Sequence, residues 1–298
     1  MAASRGCGRT LGFIALLAAS AAAACGGGST TVKTVRKTCR AADGVEIVYS
    51  VAGRGEPALV FVHGGLANRG FWDGQLAEFG AEHKTIALDL PGHGESGADR
   101  TKWGIPEFGA DVKAVIEAEK AKKVILFGNS LGGPVIVEAA LLLPGRVLGV
   151  VGVDTFHLLD QVIPPDQMEE RAGYFEKDYP GALKMMVGLL FHKDADPAMV
   201  ADAEKRMSGT SPAVAKAIFL GMAGYDEGPA VRSLQAPLRT INGDLYAVDV
   251  EGNRKIKPDF EAVMMTHMGH YPMLERPAEF NRLVAEMIAT LTKTGPTR

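Results

Sequence analysis

Apolar residues along this chain come in short runs divided by polar, glycine-bearing turns. Residues 37–53 read as two strands around an Asp43-Gly44 turn, a hairpin signal. Further apolar runs at 59–62, 85–88, 124–127, 147–153, 238–241 and 260–265 have the length of buried strands. Helices are expected near 105–120, 133–143 and 278–291. Strand alternating with helix predicts an α/β class, a mostly parallel eight-stranded sheet with helices on both faces.

One interval breaks this rhythm. Residues 157–233 contain no strand-like run. Four helical stretches are expected there instead: 166–171 after Pro164-Pro165, the apolar 182–191, then 197–207 and 211–222. The interval falls between the sixth and seventh expected strands. Most of its Met and Phe residues are assigned to packing the helices on one another. Any pocket beneath them must still be lined, and methionine adapts well to that use.

The segment that carries chemistry is Gly128-Asn129-Ser130-Leu131-Gly132. The strand-like Val124-Ile125-Leu126-Phe127 precedes it, and a helix-like run with Pro134 in its first turn follows. Strand, sharp turn and helix is the context in which a G-x-S-x-G pentapeptide becomes a nucleophile elbow. The bland alternative is a glycine-rich turn with an idle serine, and the pentapeptide by itself does not separate the two.

Three other segments shift the balance. Leu59-Val60-Phe61-Val62-His63-Gly64-Gly65 is a strand running into a glycine turn. A second strand runs into Asp89-Leu90-Pro91-Gly92-His93-Gly94-Glu95-Ser96. Gly269-His270-Tyr271-Pro272 follows the last strand. In these motifs, and in their order, the chain resembles the α/β-hydrolase family over most of residues 37–293. The resemblance implies the α/β-hydrolase fold, with residues 157–233 as a helical cap over the active site. It implies Ser130 as nucleophile and the N–H groups of Leu131 and Gly65 as the oxyanion hole.

A serine hydroxyl needs a base within hydrogen-bond reach. Of seven histidines, only His270 has the family's Gly before it and Pro two residues after it. His267 is its nearest competitor. His63 and His93 belong to turn motifs and read as structural, His83 and His192 as surface residues, and His157 as a residue near the pocket mouth. The family's usual acid position, three residues beyond the glycine that ends the seventh strand, falls on Tyr246 when counted from Gly243. A phenol cannot stabilise an imidazolium as a carboxylate does. Three readings therefore stay open: Asp154 at the end of the sixth strand, Asp244 if the loop is shorter by two residues, or no acid. Asp154 is preferred, because the ungapped match continues through the next loop.

Composition narrows the setting. The chain has 298 residues, 47% hydrophobic and 22% charged, enough for one large domain. A net charge of −3 argues against nucleic acid as a partner. A His267/His270 metal pair would need further ligands that are not nearby, so no metal and no cofactor are expected. Arg5 and Arg9, an apolar core and Ala22-Ala23-Ala24 make residues 1–24 a secretory signal. Cys25 and the following glycines resemble a bacterial lipoprotein junction, although the family pattern favours leucine where Ala22 stands. Residues 25–36 then form a tether, and 37–298 the catalytic domain. The protein is expected to be exported and held at the cell envelope by lipid on Cys25, its only tie to a membrane. Cys7 leaves with the signal, and Cys39 is expected to be a small packed side chain without a disulfide partner. No oligomeric state is legible.

Together these readings describe a serine hydrolase acting on a small-molecule carboxylic ester through an acyl-enzyme. Lactone, carbon–carbon bond and cofactor-free perhydrolase chemistry run on the same triad. A non-catalytic binding protein is kept open by Tyr246.

Overall fold

Apolar strands from a parallel sheet must be covered on both faces to leave water. In the computed structural model, which describes Met1, residues 32–160, Val162 and residues 164–293, they assemble as one sheet. The expected signal, Cys7 and the lipidation site Cys25 lie outside the described residues. The strands are β1 Thr34–Arg40, β2 Glu46–Ala52, β3 Ala58–Val62, β4 Thr85–Leu88, β5 Val124–Asn129, β6 Val147–Val153, β7 Leu238–Asn242 and β8 Glu261–Met264. Their order is β1-β2-β4-β3-β5-β6-β7-β8. β1 and β2 form the expected antiparallel hairpin, β2 is antiparallel to β4, and every pairing from β4 to β8 is parallel.

The order places the site. The chain leaves β3 to one side, forms β4, and crosses back to form β5 on the other. Such a switch opens a crevice at the carboxyl ends of the central strands, where ligands bind in open α/β sheets. β3 and β5 are fully buried and meet there. Phe61 of β3 stacks on Phe127 of β5 at 5.0 Å and meets Trp72 at 5.2 Å. Truncating an aromatic side chain in such a core costs about 3–5 kcal/mol. Helices Ile105–Ala118 and Gly132–Leu141 pack together on the sheet, as do Asp73–Phe79 and Pro277–Lys293.

Between β6 and β7 the described residues form five helices: Pro165–Lys177, Tyr179–Leu190, Pro197–Met207, Pro212–Met222 and Glu227–Ser233. The first four carry proline at their first or second position, where its missing N–H is harmless. Asp178, Asp196, Ser211 and Asp226 cap the last four through side-chain oxygens. The first and fourth helices are joined by stacking of Phe175 on Phe219 at 4.9 Å. The sequence pattern misses the short Glu227–Ser233 helix, as well as Asp73–Phe79 and Val250–Ile256. Each has seven residues, too few for a periodic apolar stripe to stand out.

Candidate active site

The turn after β5 leaves no room for side chains on either flank. A Cβ on Gly128 would lie 2.2 Å from the Gly132 carbonyl oxygen, and one on Gly132 would lie 2.6 Å from that of Val62. Between them Ser130 adopts φ +52°, a left-handed conformation costly for a residue with a Cβ. Backbone bonds hold it there: Ser130 N–H donates to Val153 O at 3.2 Å, and Ser130 O accepts from Gly133 N–H at 2.8 Å. The serine therefore opens the helix Gly132–Leu141 at the carboxyl edge of the sheet.

His270 follows β8 and is gripped through its backbone. Its N–H donates to Leu190 O at 2.7 Å, and its carbonyl accepts from Asn129 Nδ2 at 3.0 Å. The same amide donates to Val153 O at 2.9 Å. Asn129, the residue before Ser130, thus ties together the loops after β5, β6 and β8. Glu275 accepts N–H bonds from Gly269 at 3.2 Å, Tyr271 at 3.3 Å and His192 at 3.2 Å.

Asp154 ends β6, is 1% exposed, and meets the His270 ring. Its Oδ2 accepts from His270 Nδ1, and its Oδ1 accepts from Gly243 N–H at 2.9 Å. A carboxylate can only accept, so Nδ1 carries a proton, and the tautomer this selects has its bare nitrogen at Nε2. Burial would raise the Asp154 pKa, but the approach of His157 and the hydrogen bond from His270 hold it well below the usual carboxylate range. His157 Nε2 stands 3.7 Å from Oδ1, outside hydrogen-bond reach, and acts through proximity. Asn253 fixes the loop that carries both residues: Nδ2 donates to Phe156 O at 2.7 Å, and Oδ1 accepts from Leu159 N–H at 2.9 Å.

Asp244 is not brought to His270. Its oxygens accept the N–H groups of His267 at 2.8 Å and Met268 at 3.0 Å, so it caps the turn ahead of His270. Tyr246 is exposed and meets the His157 ring edge-on at 5.7 Å. His267 faces His192 instead, with ring centroids 6.0 Å apart. His192 is less exposed than its sequence suggests, at 15% of its side chain. His63 and His93 are fully buried. His63 Nδ1 bonds Gly64 O at 2.7 Å while Nε2 accepts from Leu90 N–H at 3.0 Å, and burial pulls its pKa down to about 4. It stays neutral and shapes the glycine turn. Cys39 is half-buried, and burial pushes its thiol up to about 11, so it holds little thiolate.

Ser130, Leu131, Asp154, His157, Tyr246 and His270 line one cavity of about 520 Å³. The cap supplies the other side, including Gln167, Arg171, Met222 and Glu227. Among the described residues, neither the Ser130 hydroxyl nor His270 Nε2 has a hydrogen-bond partner in the protein, and the same holds for the N–H groups of Gly65 and Leu131. Gly65 lies against Leu131, where a Cβ would be 3.9 Å from Leu131 Cδ2. Also among the described residues, no group of three or more His, Cys, Asp or Glu side chains is placed to hold a metal ion. No described helix is long and apolar enough to cross a membrane.

A family model described as "Alpha/beta hydrolase family" matches residues 59–283, and the chain belongs to that family. Among curated proteins it is similar to the dihydrolipoyllysine-residue acetyltransferase component of an acetoin cleaving system from Pseudomonas putida, 27% identical over 82% of this chain. The chain matches 66% of that relative's length. Among solved structures it is similar to a thermophilic esterase from Thermogutta terrifontis, with TM-score 0.75 and 23% identity, covering 87% of this chain and 99% of the other. It is also similar to Est816, described as an N-acyl homoserine lactone degrading enzyme, with TM-score 0.69 and 28% identity, covering 82% and 97%.

Proposed function

We propose that the protein is a serine hydrolase that cleaves carboxylic esters through an acyl-enzyme. The observation that carries this reading is the sharing of one cavity by a strained, unpartnered serine and a histidine whose far nitrogen is held by a buried aspartate. Ser130 attacks the ester carbonyl while His270 Nε2 takes its proton. The N–H groups of Leu131 and Gly65 receive the developing oxyanion. His270 returns the proton to the leaving alcohol, and water then resolves the acyl-enzyme by the same steps. Asp154, not Asp244, holds the tautomer that leaves Nε2 basic and steadies the imidazolium.

A lactone, an ester closed on itself, is the second reading, and the likeness to the lactone-degrading Est816 supports it. The test common to both is covalent capture by a fluorophosphonate probe. Wild-type protein labels at Ser130 and Ser130→Ala does not. Absence of label on folded wild-type protein would overturn the hydrolase reading in favour of a binding protein.

We also propose export with lipid on Cys25 and a flexible tether after it, on the strength of the leader sequence. The expected tether bound of residue 36 is shortened, because Thr34, Val35 and Arg36 already pair with β2 and belong to the domain. Cys25→Ser then moves the protein from the membrane to the soluble fraction. Unchanged partition would sink this part alone.

A further inference from the structure

The cavity holds a carboxyl group that the hydrolytic steps do not use. Glu227 is the first residue of the helix Glu227–Ser233, and it lines the same space as Ser130 and His270. Its polar neighbours are already engaged. The Tyr225 hydroxyl donates to Glu138 Oε1 at 2.7 Å, and Asp226 Oδ1 accepts from Gly228 N–H at 3.0 Å. The Glu227 carboxyl has neither hydrogen bond nor ion pair among the described residues. Arg171 also lines the cavity, but it is solvent-exposed, where water and salt weaken its pull. Burial, with the Asp226 carboxylate beside it, pushes the Glu227 pKa up to about 8. The residue is only part-buried at the cavity wall, so its carboxyl is within reach of a bound ligand, and in its protonated form it has one O–H to donate.

An unpaired polar group in a ligand cavity discriminates strongly between ligands that satisfy it and ligands that do not. Resting on the serine-hydrolase reading, we propose that Glu227 is a specificity-determining residue. It donates a hydrogen bond to an ether, carbonyl or hydroxyl oxygen in the substrate, so that oxygen-bearing esters and lactones are preferred over plain alkyl esters. The apolar remainder of the wall, Leu131 and Met222 among it, takes the hydrocarbon part.

A matched ester pair tests this. p-Nitrophenyl methoxyacetate and p-nitrophenyl butyrate have the same acyl length, with an ether oxygen replacing one methylene. Their intrinsic reactivity differs, so the quantity to read is the change in their kcat/KM ratio between enzymes at pH 7. Glu227→Leu should lower the methoxyacetate-to-butyrate ratio by roughly fivefold, the worth of one hydrogen bond. Glu227→Gln keeps an N–H donor of the same shape and should hold the ratio within about twofold. An unchanged ratio in Glu227→Leu, with Ser130→Ala inactive on both esters, overturns the role of Glu227 and leaves the hydrolase standing. If a trimethylammonium-bearing ester is preferred instead and Glu227→Gln loses that preference, the group acts as an anion and the proposal fails. If folded wild-type protein hydrolyses none of these esters, both readings fail together.

Discussion

The carboxyl edge of the sheet and the cap face one cavity, yet they are built differently. At the sheet edge the backbone dictates residue identity. Gly128 and Gly132 are hemmed in by carbonyl oxygens, Asp154 and Asn129 are buried, and named hydrogen bonds hold the Asn129, Asp154 and His270 side chains and the Ser130 backbone. The cap is thinner. Helix Tyr179–Leu190 buries Ala182, Leu183 and Val187 but leaves Met185 and Leu189 exposed at 58% and 65%. Two carboxyl groups express the contrast. Asp154 is held ionised by the histidines around it, whereas Glu227, part-buried and beside the Asp226 carboxylate, has its pKa raised and no partner to lower it.

The sharpest way to break this comparison is at the serine. Ser130→Ala should lower ester turnover by roughly 10⁴-fold or more while circular dichroism stays native, since nucleophile and base act as a unit. Substantial residual turnover would move the chemistry elsewhere in the cavity. Next in size is the acid. Asp154→Asn should cut kcat by roughly 10²–10⁴-fold, because the amide leaves the imidazole in the wrong tautomer. Asp244→Asn, assayed alongside, should change kcat by less than about threefold. The reverse ranking would return the acid to the loop after β7.

How far these assignments were legible follows from which contacts are local. The strands, the elbow and His270 can be read because each is announced by residues adjacent in sequence. Asp154 could only be preferred, since its pairing with His270 spans 116 positions and Tyr246 occupies the usual place. Asn129 sat unnoticed inside the motif itself, because its partners Val153 and His270 come from distant strands. Asn253 lies on a helix too short to read, and nothing local marks it as the clamp of the Asp154 loop. Glu227 looks in sequence like an ordinary first-turn acid at a helix start.

A third prediction probes that non-local frame. Asn129→Ala should destabilise the fold by about 1–3 kcal/mol, since it strips donors from two buried carbonyls, and should lower kcat with little change in KM. A thermal melt and steady-state kinetics on the same sample would show it, and a change in KM alone would contradict it.

The smallest effect separates the two carboxyls by pH. Asp154 has a depressed folded pKa, so its stabilisation is present above its ordinary value of 3.8 and is lost as pH falls below that. Glu227 has a raised one, so its contribution is fully present below 4.5 and is lost as pH rises through about 8. Glu227→Gln should therefore raise Tm over wild type at pH 9 and change it little at pH 5. Asp154→Asn should lower Tm more at pH 7 than at pH 3. Equal shifts at both pH values in Glu227→Gln would mean that its carboxyl is solvated after all.

One backbone contact bears on how such enzymes can be recombined. The Leu190 carbonyl, at the end of a cap helix, receives the His270 N–H, and two residues later His192 N–H reaches Glu275. The cap is thus stitched to the loop after β8 that carries the proposed base, His270. A chimaera that exchanges the whole of residues 157–233 for a relative's segment would cut this stitch and let the imidazole drift. Grafts that keep residues 190–192 and swap only the helices on either side would leave the bonds to His270 and Glu275 in place.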